Sequence, residues 1–193
     1  MVSSPDFAMQ YACEMIGAFE PADDDDMIRV WLALTIPGQS FLAEEHWRTM
    51  EPEIRQLVPI VEIWVVEDDG EIVAFISLLD NLIGGLFTHP DQQGKGRGRA
   101  LVEHARGRFD PVLVELAEAY KKAIGFYRSC GFVDHERGVD EGSGLPLLIL
   151  HLRSGAQPEC IGSRGAQFRR SLPTAEGNSD GAELSRCAVT RVL

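Results

Sequence analysis

Apolar and polar positions alternate in distinct patterns along the first part of the chain, and these patterns predict its early elements. CEMIGAFE, residues 13–20, is predicted as a first strand. The acidic stretch ADDDD then offers an N-cap and first-turn carboxylates to a helix through MIRVWLAL, residues 27–34. IPGQS, residues 36–40, is expected to break this helix. A second helix is predicted from four apolar residues at helical spacing, which are Trp47, Met50, Ile54 and Leu57.

The rest of the patterned region is rich in strands. IVEIWVVE and EIVAFISLL flank DDG, a good hairpin turn, and NLIGGLFT is a third strand. VLVELAE is a continuous apolar run, typical of a strand buried on both faces. KKAIGFYRSC predicts a short helix ended by Gly131, and FVDHE and LPLLILHL predict the last strands. The order predicts an α/β fold with a mixed, mostly antiparallel sheet flanked by helices.

Composition changes this picture at the C-terminus. Residues 1–153 carry the patterned elements and are predicted to form one domain, whereas residues 154–193 contain few large apolar side chains and show no period. This second segment is therefore predicted to be a flexible tail.

Charge and cysteine content narrow the classes of function. The net charge of -12 argues against general nucleic-acid binding, because phosphate backbones require a basic face. No apolar run reaches about 18 residues, so no membrane span is predicted. The cysteines form no CxxC pair and no zinc-site spacing, so we expect a reduced, cytoplasmic chain without a metal.

A glycine-rich stretch after the third of the central strands is the first candidate for chemistry. In GKGRGR, residues 94–99, three glycines alternate with three cations directly before a predicted helix. The free N–H groups at a helix N-terminus bind anions, and glycines allow close approach of a phosphate. The stretch therefore predicts a polyphosphate cradle, with a solubilised glycine-rich turn as the alternative. It is not a P-loop, because Gly96 stands where Ser or Thr is required, nor a dinucleotide fingerprint, which needs glycine at Arg99.

A second segment, KKAIGFYRSCGF, points to the same region. A helix and a glycine follow a buried strand here, which is expected to bring Tyr127 to the strand ends beside the cradle. The alternative is a core tyrosine whose hydroxyl reaches the surface. One helical face carries Ala123, Phe126, Tyr127 and Cys130.

Together the two segments resemble the GNAT family of N-acetyltransferases. QGKGRG, residues 93–98, matches the family signature [RQ]-x-x-G-x-[GA], and AIGFYRSCGF matches its second unit, A-x-x-FY-x-x-x-GF. The two units occur in the family's order and at its separation, and the resemblance covers roughly residues 12–153.

The resemblance implies binding of acetyl-CoA and direct transfer of its acetyl group to an amine, carried by a small molecule or by a protein. The backbone near Phe87 would pair with the pantetheine arm like an added strand, and the amides after it would hold the pyrophosphate. Tyr127 would act as the catalytic acid that protonates the departing thiolate. A homodimer is compatible with the family. The implied cofactor-binding residues are Leu86, Phe87, Thr88, Gln93, Gly94, Lys95, Gly96, Arg97, Gly98, Arg99, Tyr120, Ala123 and Phe126.

The chain departs from the family pattern at two positions. Tyr120 stands where relatives often carry asparagine, and Gly84 and Gly85 lie on the strand where many carry a glutamate base. Glu115, Glu118 or a water relay could take the base's place, although either carboxylate can equally be structural. These departures favour an alternative function, an acyl-CoA-binding or sensing module without efficient transfer, whereas the retained Tyr127 argues against it.

Overall fold

The computed structural model describes residues 15–38, 44–140 and 144–153. The predicted order of strands and helices is confirmed. The predicted tail, residues 154–193, lies outside the described residues, as do residues 13 and 14 of the first predicted strand. The elements are β1 (Ile16–Ala18), α1 (Asp24–Gly38), α2 (Glu44–Leu57), β2 (Glu62–Asp68), β3 (Glu71–Leu79), β4 (Leu82–Thr88), α3 (Arg97–Arg108), β5 (Val112–Ala117), α4 (Lys121–Ser129), β6 (Val133–Val139) and β7 (Pro146–Leu152).

The strands form one sheet in the order β1-β2-β3-β4-β5-β7-β6. Neighbouring strands are antiparallel except for β4 and β5, which are parallel. The β2–β3 hairpin turns at Asp69 and Gly70, whose φ angles are 54° and 80°. This left-handed pair is what the DDG sequence predicts, because aspartate and glycine adopt positive φ readily.

Helices cover both faces of the sheet, so two apolar clusters form. On one face, Trp31 of α1 and Trp47 of α2 pack with Phe75 of β3 in one buried cluster. On the other face, Leu101 of α3 and Ile124 of α4 belong to the second cluster, with Ile76, Val114 and Leu150 from the sheet. Within the described segments, no helix has the length and apolar character needed to cross a bilayer.

Two details of the sequence prediction were wrong. Helix α1 does not stop before IPGQS but continues to Gly38, and Thr35 in its extension is only 4% exposed. The helix therefore ends inside the IPGQS segment, four residues beyond Leu34. Strand β5 is not buried on both faces, because Val112 and Val114 are buried while Leu113 and Glu115 are only partly covered.

Candidate functional site

The sheet opens between β4 and β5. These strands pair only at their starts, at Leu82 with Leu113 and at Ile83 with Val114. On its other side β4 stays paired with β3 as far as Thr88, which lies opposite Ala74. The later part of β4 therefore presents an edge toward β5 that the described strands do not pair. Such an edge can accept an extended ligand as an added strand.

A β-bulge lies where the two strands separate. Ser77 of β3 pairs with Gly85, and the next residue, Leu78, pairs with Ile83, so Gly84 is the extra residue on β4. A bulge bends its strand and increases the local twist, and glycine accommodates the bend at low cost. The Gly-Gly pair within an apolar strand was the sequence signal for this bulge, and sequence reasoning missed it.

The glycine-rich loop follows the C-terminal end of β4, which is not paired with β5. A short 3₁₀ turn, Pro90–Gln92, leads into it, and the side-chain amide of Gln93 donates to the Thr88 carbonyl at 3.3 Å. Gly94 and Gly96 have left-handed backbones with φ of 74° and 82°, and helix α3 begins directly afterwards. A Cβ added at Gly94 would meet nothing within 4 Å, so the loop is open to a ligand. The N-terminal amides of α3, which lack intrahelical partners, are available for binding anions.

Gly98 brings three of the sequence-predicted residues together. A Cβ at this position would lie 3.4 Å from the Phe126 ring and 3.6 Å from the Thr88 hydroxyl oxygen. The first turn of α3 thus contacts both the end of β4 and helix α4. A methyl group would fit here in ordinary van der Waals contact, whereas a longer side chain would have to displace the Phe126 ring or the Thr88 side chain.

The three cations of the stretch do not share one location. Arg97 is buried at 8% exposure, and its guanidinium pairs with Asp68 at the end of β2. Arg99 donates to the Ser129 carbonyl at 2.8 Å, and Lys95 donates to the Gln92 side chain at 2.7 Å. Arg97 therefore does not direct its side chain to the cradle, and it can offer a ligand its backbone amide. Its side chain ties α3 to the β2–β3 hairpin instead.

Tyr127 lies on α4 within the second apolar cluster. Its ring is 5% exposed and packs edge-on against Phe126 and Phe132, with ring centroids 5.3 Å and 5.2 Å away. Desolvation by burial, with a smaller contribution from Cys130, raises the pKa of the Tyr127 hydroxyl. The hydroxyl therefore stays protonated at physiological pH.

Two other predicted cofactor-binding residues, Ala123 and Tyr120, lie at the start of α4. Ala123 packs against the same apolar cluster as Tyr127. Tyr120 is the N-cap residue of α4, and its carbonyl accepts from the Ile124 amide at 3.0 Å. Desolvation raises the pKa of its hydroxyl. Its side chain has no amide, so it does not reproduce the hydrogen bonding of the asparagine that relatives often carry.

The candidate bases differ in their surroundings. Glu118 forms an ion pair with Arg137, whose Nη1 lies 2.6 Å from the carboxylate. Glu115 lies on β5, in register with Ile149 of β7. A cavity of about 50 Å³, which sequence reasoning did not find, lies between the sheet and α1 and α2. Trp31, Phe75, Ser77 and Gly84 are among the residues that line it.

Comparison with known proteins agrees with this geometry. The model of the acetyltransferase (GNAT) domain family matches residues 59–134, which run from just before β2 to the start of β6. Two curated relatives from Escherichia coli are the peptidyl-lysine N-acetyltransferases YjaB and YiaC. YjaB is 29% identical over 131 residues, 67% of this chain and 89% of the relative. YiaC is 28% identical over 126 residues, 64% of this chain and 86% of the relative.

The solution structure of the apo form of Escherichia coli YjaB has a similar fold. It superposes with a TM-score of 0.62 at 30% identity, covering 73% of this chain and 97% of the YjaB chain. The similarity thus extends over almost all of that relative.

Proposed function

Because this chain belongs to the GNAT family of acetyltransferases, we propose that it transfers the acetyl group of acetyl-CoA to lysine side chains of proteins. Family membership makes it an acetyl-CoA-dependent N-acetyltransferase, and the proposal concerns the acceptor and the residues that act. The observation that carries it is the cleft: an unpaired β4 edge leads straight into a glycine loop at the N-terminus of α3.

The cleft fits acetyl-CoA in two respects. The pantetheine arm is an extended chain with amide groups, so it can lie along the backbone of Leu86, Phe87 and Thr88. The His89 amide donates to the Val73 carbonyl of β3, and this alternation turns the amides and carbonyls of Leu86 and Thr88 to the open edge. Those of Phe87 face β3, and its ring stacks on Phe75 in the core. The amides from Gln93 to Arg99 would hold the pyrophosphate, helped by the dipole of α3 and by Lys95 and Arg99 at the surface.

Tyr127 is our proposed catalytic acid. It lies on α4, whose Phe126 contacts the first turn of α3 through Gly98. A protonated phenol beside the cleft can donate to the sulfur as the thioester bond breaks. Ala123 and Phe126 would line the same side of the cleft, and Tyr120 would stand at its end.

The relatives support lysine side chains of proteins, rather than small amines, as the acceptor. YjaB and YiaC are peptidyl-lysine acetyltransferases, and the net charge of -12 attracts cationic segments. A cytoplasmic location and a homodimer are further predictions. Fractionation of cells that produce the chain tests the first, and analytical ultracentrifugation tests the second.

Thiol release from acetyl-CoA tests the proposal. The acceptors are a terminally blocked peptide with one lysine, the same peptide with arginine instead, and free lysine. We expect release with the lysine peptide well above the arginine control and above free lysine. Binding of acetyl-CoA by calorimetry without release to any amine would contradict transfer and would favour the binding-module alternative.

A further inference from the structure

The cavity between the sheet and helices α1 and α2 has an almost entirely apolar lining. Met27 and Trp31 of α1, Ile63 of β2 and Phe75 of β3 line it, and all four side chains are buried. Among the described residues that surround the cavity, only Trp31 and Ser77 have a nitrogen or oxygen atom in the side chain. Cavities with such a lining stay free of water and take up apolar guests.

Gly84 lies between this cavity and the opening of the sheet. It is the extra residue of the bulge, and it directly follows Ile83, the last residue of β4 that pairs with β5. It also lines the cavity, together with Ser77 of β3. Because glycine has no side chain, a group held against the β4 backbone at this point borders the cavity directly.

The length of the pantetheine arm brings the thioester to the same point. The first turn of α3 contacts Thr88 through Gly98, so an arm whose pyrophosphate lies at this turn starts along β4 at Thr88. Between its phosphate oxygen and its sulfur the arm has about as many bonds as four peptide residues, so it spans about 13 Å when extended. Gly84 precedes Thr88 by four residues, which span about the same length in a strand. The acyl group is therefore expected beside Gly84.

On the premise of the proposed function, we propose that the cavity holds the carbon chain of the acyl group. The protein then binds propionyl-CoA and butyryl-CoA more tightly than acetyl-CoA and transfers their acyl groups to lysine. Beyond its carbonyl such a chain has no polar atom, so it matches the lining. The acceptor amine does not match it, because moving an ammonium group from water into an apolar cavity is very costly without a partner.

The size of the cavity limits the length of the chain. Its volume is about 50 Å³. For comparison, a water molecule has a share of about 30 Å³ in the liquid, and an apolar cavity of about 150 Å³ takes up benzene. The space therefore suits the one or two carbons by which propionyl and butyryl groups exceed acetyl, and it is too small for a hexanoyl chain.

Each acyl group is transferred by the same changes of bonds. The lysine nitrogen forms a bond with the thioester carbonyl carbon, and the bond between that carbon and sulfur breaks. The lysine ammonium loses two protons in total, of which one ends on the CoA thiol and the other in solvent. The products are the acylated lysine, CoA thiol and one released proton.

Calorimetric titration without an acceptor tests the site, with CoA and its acetyl, propionyl, butyryl and hexanoyl thioesters as ligands. Burial of one CH₂ group corresponds to about a fourfold change in dissociation constant. We therefore expect propionyl-CoA to bind about fourfold and butyryl-CoA up to about 15-fold more tightly than acetyl-CoA, with no further gain for hexanoyl-CoA. Equal or falling affinity from acetyl to butyryl, or a continued gain for hexanoyl-CoA, would overturn the inference.

Two variants at Ser77 test the location of the chain. Ser77→Ile puts additional carbons into the cavity from β3, whereas Ser77→Ala leaves the space open. We expect the isoleucine variant to lose the gain in affinity for propionyl-CoA and butyryl-CoA, and the alanine variant to keep it. Thermal unfolding checks that both proteins are folded, and Ile54→Phe, which fills the cavity from α2, replaces Ser77→Ile if that protein does not fold. A folded filling variant that keeps the wild-type preference for butyryl-CoA would contradict the location.

The same series separates this inference from the proposed function. CoA without an acyl group reports on the cleft alone, and thiol release with the lysine peptide reports on transfer. If CoA does not bind, the proposed function and this inference fail together. If CoA binds and thiol is released from acetyl-CoA, a flat acyl series, or no release from propionyl-CoA, shows that only the assignment of the cavity is wrong.

Discussion

A single charge placed at Gly94 tests the phosphate cradle most directly. Gly94→Asp and Gly94→Asn introduce side chains of nearly equal size, and both residues tolerate the left-handed backbone that this position requires. A Cβ here meets nothing within 4 Å, so neither variant creates a clash within the described structure. The two variants should therefore be about equally stable and differ in the loop by one negative charge.

Coulomb's law sets the expected size of the effect. A carboxylate about 5 Å from one phosphate charge costs about 1 kcal/mol in water and about 3 kcal/mol at an effective dielectric constant of 20. These limits correspond to an increase in the dissociation constant of roughly fivefold to roughly 200-fold per phosphate charge. Since the loop is exposed and the pyrophosphate carries two charges, we expect Gly94→Asp to bind acetyl-CoA at least about tenfold more weakly than Gly94→Asn.

Calorimetric titration with acetyl-CoA measures the difference, and thermal unfolding checks that the two variants are equally stable. The gap should narrow at 1 M salt, where the Debye length falls to about 3 Å. Equal affinities of the two variants at low salt would mean that the pyrophosphate does not lie at this loop, and the cradle assignment would then be wrong.

Three further outcomes are expected. Tyr127→Phe should lower kcat by about 10²–10⁴-fold with little change in acetyl-CoA affinity or melting temperature, and steady-state kinetics with calorimetry check this. Asp68→Asn leaves the buried Arg97 without its partner and should cost about 2–3 kcal/mol, or roughly 5–10 °C in melting temperature, whereas acetyl-CoA affinity measured well below that transition should hold. Burial lowers the pKa of His104, whose ring packs at a tilt against Trp64 with the centroids 4.2 Å apart. The contribution of His104 to the free energy of unfolding should therefore be fully present above about pH 6.5 and decrease as the pH falls below it. His104→Gln should flatten that part of the melting-temperature profile, and an unchanged profile would show that His104 does not contribute.

Much of the fold could be predicted because its signals are local. The hairpin turn at Asp69 and Gly70 and the acidic first turn of α1 depend on residues close in sequence. The GNAT resemblance likewise depends on two short segments. The errors arose at the end of α1, which runs four residues further than predicted, and where an apolar run was taken for a strand covered on both faces.

The sequence by itself determined the order of the elements, the family and the segment proposed to meet the cofactor, because periodicity, turn residues and short motifs encode these. The tertiary structure decided the roles of particular side chains. Arg97 lies among the loop cations in sequence, yet it pairs with Asp68, 29 residues away, inside the fold. Glu115 and Glu118 are nearly adjacent in sequence, but Glu115 lies within β5 opposite Ile149 of β7, whereas Glu118 forms an ion pair with Arg137 of β6. Such assignments depend on contacts between strands and helices far apart along the chain, and a local pattern carries no information about which of these contacts form.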